Sequence, residues 1–206
     1  GCNKSGAQVG KMDYWIVKTN SNGIKIYDKV FGGSLNDELT VIIQTADGGF
    51  IVGGYSESGI TGDKTQATYG GDDFWIVKTD ATGSKLWDKD FGGTEGDKLI
   101  SIQETADGGY ILGGYSKSGM SGDKTQSSHG ENDFWIVKID MSGAKQWDAS
   151  FGGNGDDKLS SIEQTSDGGY LLAGFFYFFI RGDKSQPIVG KDDYWLVKTD
   201  VNGVQQ

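Results

Sequence analysis

Residues 72–93 read Asp-Asp-Phe-Trp-Ile-Val-Lys-Thr-Asp-Ala-Thr-Gly-Ser-Lys-Leu-Trp-Asp-Lys-Asp-Phe-Gly-Gly, and this pattern returns on both sides of the segment. Two segments rich in β-branched and aromatic residues, 74–79 and 85–91, flank the polar sequence Asp-Ala-Thr-Gly. The composition of these two segments favours strands, and the polar sequence between them favours a tight turn. The segment therefore predicts a β-hairpin.

The pattern recurs with a period of 60 residues, which makes the chain a tandem repeat. One aromatic column consists of Trp15, Trp75, Trp135 and Trp195, and a second of Tyr27, Trp87 and Trp147. Phe-Gly-Gly begins at Phe31, Phe91 and Phe151, and Asp-Gly-Gly begins at Asp47, Asp107 and Asp167. All six tryptophans lie in the two aromatic columns, so their recurrence indicates a structural role.

Composition points to an all-β protein. The 206 residues include 35 glycines but a single proline, and 35% of them are hydrophobic. Glycine permits tight turns between short strands, and this hydrophobic content suffices for a packed core. We therefore expect many short strands joined by glycine-containing turns.

The net charge of −10 limits the classes of partner. Nucleic acids and anionic membranes attract clusters of Lys and Arg, so neither is an expected partner. Apolar runs fall well short of the roughly 20 residues that a membrane helix needs. Cations and neutral ligands fit the charge better.

The only cysteine, Cys2, precludes an internal disulfide and leaves two interpretations of the first residues open. Gly1-Cys2-Asn3 is compatible with the mature start of a bacterial lipoprotein, with Cys2 as the acylated residue. Residues 2–4 also fall in register with Gly62-Asp63-Lys64, which would make them a further piece of repeat.

Each period predicts four strands, which in the middle copy are residues 99–105, 110–116, 134–139 and 145–151. The dipeptide Asp107-Gly108 between the first two predicts a two-residue type I′ hairpin. The turn 140–143 between the last two places Gly143 where φ is positive. Trp135 and Val137 face opposite to Phe134 and Ile136, so both faces of the third strand are apolar, as in sheets packed on both sides.

A four-stranded antiparallel sheet repeated in tandem predicts β-propeller blades. A β-solenoid is the alternative, but its repeats usually take about 20–30 residues. The propeller interpretation divides the chain into an outer half-blade (1–38), two blades (39–98 and 99–158) and a third with a clipped last strand (159–206). About 3.5 blades do not close a ring that needs at least four, so we expect further repeats or self-assembly to supply the rest.

Several of these motifs resemble known propeller families. Residues 107–114, followed by a later strand and Trp, resemble the kelch pattern, and Asp80-Ala-Thr-Gly-Ser-Lys-Leu-Trp87 resembles the signature of quinoprotein-type blades. Thr-x-Asp-Gly-Gly-Tyr is similar to the Asp-box hairpin of sialidase-like propellers. As a whole, the chain most resembles tandem repeats of secreted or surface-anchored proteins of Gram-negative bacteria. That resemblance implies an extracellular or cell-surface location and assigns no activity.

The long polar loop between the second and third strands is the predicted ligand-binding region, because loops on a rigid scaffold commonly carry function. Its candidate ligand-binding residues are Asp63, Asp72, Asp123, Asp133, Asp183 and Asp192, together with Phe176, Phe178 and Phe179. Oxygen-rich clusters suit Ca²⁺. The candidate Ca²⁺ ligands are Asp63, Asp73, Asp123, Asp133, Asp183 and Asp193. The alternative is structural: these carboxylates pair with lysines, cap turns or begin the third strand.

Residues 175–180, Phe-Phe-Tyr-Phe-Phe-Ile, break the repeat by replacing a polar segment with six apolar residues. Two interpretations are open. Such a run either lies in an interface or binds an apolar ligand, or it reflects a local sequence error, because the register resumes at Gly182.

An inventory of reactive residues favours a non-catalytic role. One arginine, Arg181, is too few for a sialidase site, which uses three, and one histidine, His129, is too few for a copper-radical oxidase, which needs two. No nucleophile elbow accompanies the histidine. We therefore expect a secreted or cell-surface module that binds a glycan or a protein. A carboxylate-dependent carbohydrate-active enzyme of glycosidase or lyase type is the alternative, with Glu104 as its first candidate acid.

Overall fold

The computed structural model describes residues 4–177, 182–184, 190 and 192–206, and within them the chain forms β-strands and no helix. Over these residues there is accordingly no helix with the length and apolar character to cross a membrane. The prediction of an all-β protein is confirmed.

The strands form one hairpin and three antiparallel sheets. The N-terminal hairpin contains β1 (Tyr14–Thr19) and β2 (Lys25–Phe31). Sheet I contains β3 (Asp37–Gln44), β4 (Phe50–Ser56), β5 (Asp73–Thr79) and β6 (Lys85–Phe91). Sheet II contains β7 (Asp97–Glu104), β8 (Tyr110–Ser116), β9 (Asp133–Ile139) and β10 (Lys145–Phe151). Sheet III contains β11 (Asp157–Gln164), β12 (Tyr170–Tyr177) and β13 (Asp192–Thr199).

In sheets I and II, sequence order equals spatial order, so the predicted four-stranded antiparallel unit is confirmed. The bounds of β8 and β10 match the prediction, whereas the first strand of each sheet begins two residues early. It begins early because its first residue still pairs with the neighbouring strand: Asp97, for example, lies opposite Ser116. The buried carboxylate of Asp97 accepts a hydrogen bond from the backbone N–H of Gly93 at 2.7 Å. The same 2.7 Å bond recurs at Asp37 and Asp157.

Apolar residues on both faces of the sheets form three cores, each between two neighbours in the stack. Every residue of β5 and of β9 is buried, because these strands are packed on both sides. At each junction an aromatic ring of one sheet contacts a tryptophan of the next; Phe74 and Trp135, for example, have ring centroids 4.7 Å apart. The stack is thus held by one interface, repeated.

The sheets lie closest at their first strands. β7 lies within 8 Å (Cα to Cα) of β3, β4 and β5, and β11 lies equally close to β7, β8 and β9. The last strands, β6 and β10, do not approach each other within this range. The sheets are therefore closest together at β3, β7 and β11 and diverge toward their last strands.

The hairpin between β7 and β8 differs from the predicted type I′ turn. The N–H of Gly108 donates to the C=O of Thr105 at 2.8 Å, so Ala106 and Asp107 are the central residues. Gly108 follows them with φ +79°. The Asp107 carboxylate, which accepts from the N–H of Gly109 at 3.1 Å, holds this longer turn. It corresponds to a three-residue loop, in which a two-residue turn is followed by a left-handed glycine, rather than to a two-residue loop.

The turn between β9 and β10 has the predicted geometry, and it also packs against sheet I. Gly143 has φ +81°, and a Cβ placed there would lie 2.8 Å from Cγ of Lys89 and 3.2 Å from Cζ3 of Trp87. Gly83 and Gly203 take the same position against Tyr27 and Trp147. Each of these turns therefore packs against a residue of the second aromatic column in the preceding sheet.

We expect Gly143→Ala to lower the free energy of unfolding by about 2 kcal/mol, from the positive φ together with the close contact. Urea denaturation measures the change. Gly96→Ala is the matched control, because a Cβ at Gly96 meets nothing within 4 Å and its φ lies outside the left-handed region. An equal loss in both variants would contradict the assigned contact.

Candidate functional site

The loop between the second and third strands of each sheet docks on the preceding sheet. The N–H of Asp123 donates to the C=O of Gly92 at 2.8 Å. The equivalent bonds join Asp63 to Gly32 at 2.9 Å and Asp183 to Gly152 at 3.0 Å. Each loop therefore contacts the Phe-Gly-Gly segment one repeat earlier, and the predicted ligand-binding loops lie at the sheet junctions.

The lysine after each of these aspartates is buried beside a tryptophan. Nζ of Lys64 pairs with Asp90 and lies 6.0 Å from the ring centroid of Trp75. In the next repeat Nζ of Lys124 donates to Oγ of Ser150 at 2.8 Å. The third copy, Lys184, pairs with Asp157.

A threonine after the lysine completes the attachment of the loop. Both the N–H and the hydroxyl of Thr65 donate to Asp88 at 2.9 Å, and Asp88 also accepts from Nε1 of Trp75 at 3.2 Å. Ser5 repeats this arrangement with Asp28 at 2.7 and 2.5 Å. The repeat pattern therefore extends to Ser5, in agreement with the register proposed for residues 2–4, whereas Cys2 lies outside the described residues.

Two of the candidate carboxylates, Asp73 and Asp133, are fully buried where the loop enters the third strand. Each accepts a backbone hydrogen bond at 2.7 Å, from Tyr69 and His129 respectively. Oδ1 of each has no hydrogen-bond partner among the described residues. Burial raises the pKa of Asp73 to about 7 and that of Asp133 to about 6, with further contributions from Asp97 and Asp157.

The remaining candidates take varied positions. Asp72 pairs with Lys98 at 3.1 Å, and Asp193 accepts from the N–H of Gly190 at 3.2 Å. Asp183 accepts from the N–H of Gly152 at 3.0 Å, and Nδ1 of His129 lies 3.6 Å from the same carboxylate. The side chain of Asp192 lies outside the described part of the chain.

The predicted Ca²⁺ ligands are not brought together. Over residues 4–177 and the described positions that follow, no three Asp, Glu, His or Cys side chains form a group that could hold a metal ion. Backbone N–H groups donate to the carboxylates of Asp73, Asp133, Asp183 and Asp193 instead. The geometry provides no preformed calcium site in this part of the chain.

Phe176 was expected in a loop, and that placement is wrong. It lies in β12, paired with Asp157 and Asp193, and it is buried where sheet II has Ser116. Ser116 is the last residue of β8, so Phe176 takes the strand position that its counterpart has in the preceding repeat. Phe178 and Phe179 lie outside the described residues, so the two interpretations of 175–180 remain open for them.

A cleft between sheets I and II is the site that sequence reasoning missed. Its volume is about 460 Å³, and one wall is formed by the loop residues Gln66, Ala67, Thr68 and Tyr69. Sheet II contributes Asp123, Gly143, Ala144 and Lys145 to the lining, and β6 of sheet I contributes Lys89, Asp90 and Phe91. Loop residues of one repeat and turn residues of the next, distant in sequence, create this space.

The cleft holds both hydrogen-bond donors and acceptors. Nζ of Lys145 donates to the backbone C=O of Asp123 and pairs with Asp148 at 2.8 Å. Burial raises the pKa of Asp123, against the opposing effect of Lys145. The side chain of Tyr69 is exposed at the rim.

The corresponding position between sheets II and III has the same frame with fewer charges. The N–H of Ser150 donates to Oε1 of Gln126 at 2.8 Å, as that of Asp90 does to Gln66 at 2.9 Å. Nε2 of Gln205 donates to the C=O of Asp183 at 3.3 Å, in the place of Lys145. Substitutions at this second junction can therefore serve as matched controls for substitutions in the cleft.

Glu104, the candidate acid of the enzyme interpretation, makes a structural contact. It accepts from the N–H of Ala46 at 2.9 Å, and Gln164 accepts from that of Ala106 at 2.9 Å in the next repeat. Glutamine has no carboxylate, so the shared contact needs only an acceptor oxygen.

Comparison with protein-family models and with curated proteins finds no match to this chain. The geometry of the cleft and of the junctions is therefore the basis for the functional conclusion.

The folded protein should gain stability as the pH falls from 7 to 5. Asp73 and Asp133 bind protons in this window only when folded, because their pKa values exceed the ordinary value of 3.8. Where the folded state binds more protons than the unfolded state, the free energy of unfolding rises as the pH falls. Below about pH 4 the trend reverses, because Lys78 and Thr45 hold the pKa of Asp47 well below its usual range.

Melting temperatures across this pH range test the assignment. Asp73→Asn should flatten the rise between pH 7 and 5. Asp80→Asn is the control, because hydrogen bonds from Thr82 and Ser84 lower the pKa of Asp80 and keep its titration below the window. A rise of unchanged slope in Asp73→Asn would refute the role of this group.

We expect Lys64→Met to cost about 3–5 kcal/mol of unfolding free energy, because it leaves buried carboxylates without their cation. Asp90→Ser should cost about 1 kcal/mol or less, since it reproduces the contact between Lys124 and Ser150. Chemical denaturation of both variants measures the difference. Equal costs would show that Asp90 is the essential partner of Lys64.

Proposed function

We propose that this chain is a non-catalytic binding and scaffold module built from β-propeller blades, and that it binds a glycan in the cleft between sheets I and II. The observation that carries the proposal is the cleft itself. It lies at the loops expected to bind a ligand, and the candidate Asp123 forms part of its wall.

The side chains of the cleft suit a neutral, hydroxyl-rich ligand. Asp123 supplies acceptor oxygens, Lys145 supplies donors, and the exposed ring of Tyr69 offers an apolar face. Small-ligand sites combine a few placed polar groups with aromatic surface in this way. An anionic ligand is disfavoured by the net charge of −10.

The propeller part of the proposal is supported by the way the sheets diverge from their first strands. Blades of a propeller converge at their innermost strands, and β3, β7 and β11 are the strands that approach most closely here. In this arrangement β1–β2 is the outer half of a blade, and further repeats or copies complete the ring.

The resemblance to repeats of secreted and surface-anchored Gram-negative proteins supports an extracellular or cell-surface location. Within that proposal, Cys2 is the candidate site of a lipid anchor. A carbohydrate-active enzyme is less well supported, because Glu104 makes the same contact as Gln164.

Binding of purified protein to a panel of neutral oligosaccharides, followed by calorimetry on the best ligand, tests the proposal. Tyr69→Ala should weaken binding at least about tenfold, because it removes the exposed aromatic ring against which a sugar would pack. His129→Ala is the matched control at the equivalent position of the next junction and should leave the affinity unchanged. Asp123→Asn and Asp183→Asn form a second such pair.

Absence of binding across the panel, or an equal loss in both members of a pair, would contradict a glycan site in this cleft. Release of a sugar product from any oligosaccharide, abolished by Glu104→Gln, would instead favour the enzyme.

A further inference from the structure

The two outward faces of the stack carry side chains that are buried at every internal junction. On sheet III, Tyr194 is 95% exposed and Leu196 64% exposed. Their counterparts in sheet I, Phe74 and Ile76, are fully buried. The outward face of sheet III, defined by Tyr194, Leu196 and Leu171, is therefore an unpartnered copy of an interface that the protein uses internally.

The opposite face belongs to the N-terminal hairpin. Trp15 is 44% exposed and Val17 45% exposed, whereas Trp75 and Val77, one repeat later, are fully buried. The outward face of the hairpin, defined by Trp15 and Val17, is the other half of the same interface.

The internal junctions show how these halves fit. Three ring pairs recur along the stack at nearly constant geometry: Tyr14 with Trp75 at 4.7 Å and 41°, Phe74 with Trp135 at 4.7 Å and 47°, and Phe134 with Trp195 at 4.9 Å and 40°. The next ring in the first series is Tyr194, and the tryptophan that precedes the second series is Trp15. Tyr194 therefore lacks a tryptophan to pack on, and Trp15 lacks a tyrosine or phenylalanine ring. Each of the two supplies the ring that the other needs.

We propose that the outward face of sheet III binds the outward face of the N-terminal hairpin of a second copy, with Tyr194 packed on Trp15 of that copy. The occupant is a copy of this chain because the hairpin presents, position for position, the Trp and Val that fill the internal junctions. The two faces differ, so the association is head to tail.

This inference rests on the sheet arrangement in the proposed function, but it is independent of the cleft and its ligand. Tyr69 and Asp123 line the cleft at an internal junction, away from both outward faces. Glycan binding and self-association can therefore fail separately.

Analytical ultracentrifugation of the chain 1–206 over a range of concentrations tests the proposal. We expect concentration-dependent association that either Tyr194→Asp or Val17→Asp weakens by about 30-fold or more, the effect of losing a central contact. Met141→Asp is the control, because Met141 is exposed on a turn outside both faces and its change should leave association intact.

Mixing the two variants provides the decisive measurement. Tyr194→Asp keeps an intact hairpin face, and Val17→Asp keeps an intact sheet III face. An equimolar mixture should therefore form a 1:1 complex and nothing larger, although each variant alone stays monomeric. Thermal melting verifies that both fold, and Trp15→Asp replaces Val17→Asp if that variant does not.

A wild-type chain that is monomeric at every concentration overturns the proposal. So does a mixture that stays monomeric, or a single variant that associates like the wild type. Glycan binding measured on the Tyr194→Asp monomer reports separately on the cleft.

Discussion

The indole of Trp75, repeated at Trp135, joins the stacking of the sheets to the position of the loops. Its ring packs on an aromatic ring of the preceding sheet, and its Nε1 donates to Asp88 at 3.2 Å. The same carboxylate holds the loop through Thr65. One side chain therefore both packs the sheets together and helps to hold the loop in place. The cleft depends on both contacts, because its lining residues belong to a loop and to the adjacent sheet.

The junctions also bury charge, which an apolar stack would not need. Lys64 is buried with Asp90 on one side and with Asp73 and Asp37 nearby, and burial lowers the pKa of this lysine to about 8 against their attraction. Burying such groups costs free energy unless each is paired and hydrogen-bonded. The apolar contacts of both sheet faces offset that cost.

The periodicity of the sequence was sufficient to predict the strands, because Trp and Gly recur in every unit and alternation defines two apolar faces. The turn at Asp107 was mispredicted because side-chain hydrogen bonding, which a dipeptide motif does not contain, selected a longer loop. Phe176 was misplaced because residues 175–180 were treated as one apolar loop, although alignment with β8 (Tyr110–Ser116) places Phe176 at the last position of a strand. The cleft was not predictable, since Tyr69 and Lys145 meet only through the stacking of separate sheets.

Every docked loop contacts the repeat that precedes it: Asp63 reaches back to Gly32, Asp123 to Gly92 and Asp183 to Gly152. A ribosome delivers the chain in that same direction, so each repeat emerges after the surface that receives it has been made. Contacts confined to neighbouring units allow structure to propagate one repeat at a time. The direction of docking thus gives the array a natural order of assembly during its synthesis.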